Sequence, residues 1–198
     1  MSATSAPFGL RPAFHPSGLD RAQALAGGIP SGFSTAIYKG QPVRYQTTAI
    51  GGTLGTITPA TTSGAWVGAF SGVEFTDTTG RARVSNYWPA NTAYTAGSCV
   101  AYFYNDQNIV YEIQADGSMA QTTIGNEFNF TNVTAGSTTT GLSAATLGSA
   151  TAVGSGVQGQ MRVVDVAPYP DNAWGDNFTI VRVVCANSQF FGAVTAIA

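Results

Sequence analysis

At 198 residues, with 44% hydrophobic and 11% aromatic side chains, the chain is long enough to bury a core without metal or disulfide support. Charged residues make up only 9%, against roughly 25% in an ordinary soluble domain, so the surface is covered mainly by Thr, Ser, Asn, Gln and Gly. Net charge is −2, with Lys39 the single lysine and the arginines scattered; no basic footprint exists to neutralise phosphates, which argues against a nucleic-acid partner.

Residues 1–28 read differently from the rest. Pro7, Pro12 and Pro16, with Gly9, Gly18, Gly27 and Gly28, leave no regular period. Phe8, Leu10, Phe14 and Leu19 are interleaved as spaced apolar anchors, and Arg11, Asp20 and Arg21 supply charge. This composition predicts an extended arm, lying either along a neighbouring surface or back over its own domain. Residues 1–7 lack the basic and apolar stretches of a secretory signal, so synthesis in a cytoplasm is expected. No run is long and apolar enough for a membrane-spanning helix. Helical character beyond one turn is confined to residues 20–26.

Residues 29–198 read as one all-β domain. Residues 33–38 alternate, 40–42 turn, and 43–50 are rich in Thr and aromatics before Gly51-Gly52 break the run. Residues 66–75 form a longer β run in which Gly68 and Gly72 mark bends or bulges. Residues 99–104 lead through Asn105-Asp106-Gln107-Asn108 into 109–114, which predicts a hairpin. There Ile109, Tyr111 and Ile113 take one face, and Glu112 and Gln114 the other. Ser118 can cap a short helical turn that ends at Gly125. Residues 135–159, poor in large apolar side chains, predict a surface excursion. Strand pattern returns at 161–166, turns at 168–172, is strongest at 178–185 and closes at 190–197. About ten short strands at this spacing predict a β-sandwich or barrel-like domain.

Chemistry is sparse. His15 is the single histidine, sits between Phe14 and Pro16, and has no G-x-S-x-G elbow to serve. Cys99 and Cys185 belong to no C-x-x-C motif and read as buried free thiols. Glu74, Asp77, Glu112, Asp116 and Glu127 show no spacing that selects a glycosidase pair. Asp171-Asn172 and Asp176-Asn177 miss the calcium-loop pattern, and no phosphate-binding glycine motif occurs. The expectation is a non-enzymatic protein without catalytic, metal or cofactor sites.

Three stretches resemble the capsid cement, or decoration, proteins of tailed bacteriophages. They are Ala6-Pro7-Phe8-Gly9-Leu10-Arg11-Pro12; Gly72-Val73-Glu74-Phe75 with Ser85-Asn86-Tyr87-Trp88-Pro89; and Asp165-Val166-Ala167-Pro168 through Asp171-Asn172-Ala173-Trp174-Gly175-Asp176. The resemblance implies a protein of the capsid exterior that binds the major capsid protein and braces contacts between capsomers. It also implies a symmetric oligomer, a homotrimer ahead of a homodimer. On that reading Phe8, Leu10 and Phe14 fill shell pockets and Arg11 pairs with a shell carboxylate. The alternative is a virion-surface adhesin or carbohydrate-binding module, with Trp66, Trp88, Trp174, Tyr87 and Tyr94 as stacking faces.

Overall fold

The computed structural model describes residues 4–18, 24–46 and 55–190. Among these residues the chain is all-β, with one 3-10 turn at Gln121–Thr123. The strands are β1 (Arg11–Phe14), β2 (Ala24–Gly27), β3 (Pro42–Tyr45), β4 (Ile57–Pro59), β5 (Gly68–Thr76), β6 (Ala82–Ser85) and β7 (Val100–Tyr104). They continue with β8 (Val110–Gln114), β9 (Glu127–Phe128), β10 (Phe130–Thr131), β11 (Thr146–Leu147), β12 (Met161–Val166) and β13 (Ile180–Cys185).

Two antiparallel sheets pack as a sandwich-like domain. The smaller runs β1-β8-β13-β12-β9; the larger runs β2-β7-β5-β3-β4, with β6 added to β5, and β10 and β11 form a separate ribbon. A parallel bridge between Gly28 and Thr56 joins the chain just past β2 to the chain just before β4. The larger sheet therefore curls its two edges together.

Side chains alternate across a strand, so each sheet turns every second residue inward. In the smaller sheet Tyr111 and Ile113, Met161 and Val163, and Val181 and Val183 meet in one core with Trp66, Phe128, Phe130 and Leu147. In the larger sheet Val43, Ile57, Phe70, Val73, Ala101 and Phe103 enclose a second core with Ile37 and Trp88. The register of β5 on β7 slips between Phe70 and Gly72, a bulge at one of the two glycines expected to bend this strand.

Several sequence expectations are corrected. Residues 24–26, read as helical, lie in strand β2 against β7; residues 20–23 lie outside the described set. Residues 33–38 are not a strand: Ile37 makes one isolated bridge to Trp88. The expected hairpin at 99–114 is absent, because β7 pairs with β2 and β5 while β8 pairs with β1 and β13. Asn105–Asn108 thus carry the chain from one sheet to the other. Within 135–159, Ala145 and Leu147 are fully buried and β11 pairs with β10, so only parts of this stretch are surface. The expected last strand at 190–197 falls almost entirely outside the described residues, as do 47–50.

Candidate interaction groove

The described parts of residues 1–28 lie back over their own domain, β1 at the edge of the smaller sheet and β2 in the larger. Buried Gln114 holds the start: its Oε1 accepts the Ala6 N–H at 2.9 Å and its Nε2 donates to the Thr4 carbonyl at 3.0 Å. The Leu10 N–H donates to the Gly40 carbonyl at 2.7 Å. This approach requires two glycines. Gly9 (φ +72°) and Gly40 (φ +80°) are left-handed, and a Cβ on Gly9 would stand 2.5 Å from the Gly40 oxygen.

Arg11 is fixed next. Its guanidinium lies 2.7 Å from the Glu112 carboxylate, 4.8 Å from the Phe8 ring centroid and 5.6 Å from that of Tyr169. Arg11 also donates to the Tyr169 hydroxyl, which in turn donates to Glu112, and Arg182 approaches the other carboxylate oxygen at 3.4 Å. Burial pushes the Glu112 carboxyl up, but the bonds from Tyr169 and Arg11 and the guanidinium charge outweigh it; the net effect holds it below the usual range. The Tyr169 hydroxyl is pushed up, by burial first and then by its bond to Glu112. At the far end of β1, buried His15 accepts the Ser17 N–H on Nδ1 and brings Nε2 to 3.0 Å from Asp106.

These fixings shape a groove of about 450 Å³. Phe8, Leu10, Arg11 and Pro12 line it from the N-terminal segment, Lys39 and Gly40 from the loop before β3, Tyr104 from the end of β7, and Leu142 from the loop before β11. Leu142 is 40% exposed, whereas Leu10 is 2% exposed. Lys39 is exposed and has no carboxylate partner among the described residues.

Two of the four residues expected to contact a partner, Phe8 and Arg11, line this groove with accessible atoms. Leu10 corrects the expectation: its side chain belongs to the protein's own core, so it anchors the segment rather than projecting outward. Phe14 is 55% exposed on β1 but is not part of the groove lining. Sequence reading missed Tyr104 and Leu142, which only the tertiary fold brings to Phe8; Lys39 was conspicuous as the sole lysine, yet nothing in the sequence tied it to the arm.

The other candidates have structural employment. Trp66 and Trp88 lie in the two cores and Tyr94 packs edge-on to Trp88 at 5.8 Å, leaving Trp174 and Tyr87 half-buried. Glu127 is buried against Arg162 at 2.7 Å, Glu74 accepts from Tyr102, and Asp116 accepts from Ser149. Asp77 accepts from Thr79, Arg81 and Arg83 in the β5–β6 turn, and these bonds hold its carboxyl far below the usual range. Among the described residues no cluster of three or more His, Cys, Asp or Glu could hold a metal ion. Comparison of the chain with protein-family models, with curated proteins and with solved structures gives no match.

Proposed function

We propose that this chain is a capsid cement protein of a tailed bacteriophage, acting on the outside of the assembled shell as a homotrimer that ties neighbouring capsid subunits together. The observation that carries this reading is the groove built on the Phe8-Gly9-Leu10-Arg11-Pro12 stretch, the same stretch that resembles the cement family. An accessible apolar groove on a lightly charged protein suits docking, since few ionic groups lose water when the partner arrives. The exposed Phe14, on the same strand as Arg11, and Leu142, in the groove wall, add apolar contact area. Stabilisation follows by mass action, because a protein that binds the assembled shell and not its free subunits shifts the equilibrium toward assembly.

The test is co-sedimentation with tailed-phage shells stripped of their decoration protein. Saturable binding at a fixed number of copies per capsomer, with a rise in the shell's melting temperature, is the expected result. Phe8→Ala should weaken binding at least tenfold, with unchanged far-UV circular dichroism as the folding control. Failure of the wild-type protein to sediment with any such shell refutes the reading.

A further inference from the structure

We infer that the groove receives an extended protein segment that carries a bulky apolar side chain next to a carboxylate, with Lys39 as the carboxylate's partner. This deepens the cement reading by naming the chemistry of the shell segment that is gripped. It depends on that reading for the segment's source, but not for the recognition itself.

Three observations lead to this occupant. The groove's volume, about 450 Å³, falls in the range of roughly 300–1,000 Å³ typical of sites that enclose small ligands; it suits one or two side chains rather than a flat protein face. Its walls carry two cations and no acid. Arg11 is paired with Glu112 at 2.7 Å, a carboxylate it shares with Arg182, whereas Lys39 has no carboxylate partner among the described residues. Finally, Lys39 and Leu142 are paired by a parallel bridge, with the Lys39 N–H donating to Gly141 at 2.9 Å and its carbonyl accepting from Ser143 at 3.0 Å. A cation and an exposed apolar side chain are therefore held side by side on fixed backbone, and their complement is an apolar residue adjacent to an acid. Bordering apolar walls exclude water and strengthen that charge pair beyond its value on an open surface.

Recognition is through side chains rather than strand addition. β1 is an edge strand, but Pro12 supplies no N–H and the register slips between Pro12 and Phe14, two devices that blunt a sheet edge.

The experiment titrates the ¹⁵N-labelled full chain with the peptide Ac-Ala-Phe-Glu-Ala-NH₂ and with its Gln counterpart, following backbone amide shifts. The Glu peptide is expected to shift the Gly40 and Leu142 resonances and to bind roughly fivefold tighter than the Gln peptide, with the difference lost in high salt. Lys39→Glu should erase that preference and favour the corresponding Lys peptide instead. Equal affinities, or shifts confined to surfaces away from the groove, overturn the inference. Sedimentation with shells separates the two readings. If Lys39→Glu sediments as well as wild type, the groove inference falls and the cement reading stands; peptide discrimination without shell binding means the reverse. A self-association that Leu142→Ser abolishes would make the groove a contact between copies, and would also overturn the inference.

Discussion

The absence of one Cβ decides how the N-terminal segment lies. Gly9 and Gly32 have nearly the same left-handed backbone, φ +72° and +71°, but different surroundings. A Cβ on Gly9 meets the Gly40 oxygen at 2.5 Å and the Ser143 Cβ at 2.8 Å, whereas a Cβ on Gly32 meets nothing within 4 Å. Gly32→Ala therefore carries only the left-handed backbone cost of about 1–2 kcal/mol, and Gly9→Ala adds an overlap with backbone that cannot rotate away. At about 2–4 °C per kcal/mol for a domain of this size, Gly32→Ala should lower Tm by roughly 2–8 °C and Gly9→Ala by clearly more. Scanning calorimetry of the two variants checks this; equal losses would mean that the segment is not packed against the loop before β3. The sequence displayed a glycine between Phe8 and Leu10, but not what faces it. Its partner, Gly40, is distant in the chain, and no local pattern couples two glycines across a fold.

Strands whose own residues decide their burial were readable. In β12 and β13 alternating Met161, Val163, Val181 and Val183 mark the inward face directly, and the bulge at Gly72 follows from a missing side chain in a β run. Strand β8 was half readable. Tyr111 and Ile113 face the core as their spacing requires, but Glu112 and Gln114, on the other face, are also buried, 4% and 1% exposed. The N-terminal segment covers them, and its polar groups satisfy theirs. The turn at Asn105–Asn108 misled for a related reason: turn chemistry reports that a chain reverses, not whether the flanking strands share a sheet. Covering β8 with β1 has an acid consequence. Because the Glu112 carboxyl is held below its ordinary value in the folded protein, its contribution is complete above the unfolded glutamate value of about 4.3 and is lost as pH falls below that, through the folded pKa. Asp106 moves the same way, through the Asn108 N–H first and, against the upward push of burial, its bond to His15; it sits beside the other end of β1. Hydrogen exchange in residues 11–14, corrected for intrinsic rates, should accelerate as pH falls below about 4.3 while β12 and β13 stay protected. Glu112→Gln should flatten most of that acid dependence. Simultaneous loss of protection in β1, β12 and β13 would show that β1 is not separately latched.

The two sheets have separate cores but share residues that tie them together. Trp66, which leads into β5 of the larger sheet, packs in the smaller sheet's core, edge-on to Phe130 at 5.2 Å and 6.2 Å from Tyr111. Its indole N–H donates to the Gln160 carbonyl at 3.2 Å, and Ala69 of β5 joins the same cluster. The switch of the chain from β7 to β8 adds a covalent link at the sheet boundary. Opening one sheet must therefore expose part of the other's packing, so the sandwich should unfold as a single unit. The two cysteines are placed to test this. Cys99 lies in the larger sheet's core and Cys185 on β13 of the smaller sheet, and both are free. Burial pushes the Cys99 thiol up and the Cys185 thiol up to about 12, so in the folded state neither offers a reactive thiolate at neutral pH. Labelling with a thiol reagent across a denaturant series, resolved by peptide mass spectrometry, should give one midpoint and one slope for both positions. Trp66→Ala should lower the stability by about 3–5 kcal/mol and shift both curves together. If Cys185 instead labels at a lower denaturant concentration than Cys99 in the wild-type protein, the smaller sheet opens alone. The groove at the boundary of the sheets would then be a surface that breaks before the larger core does.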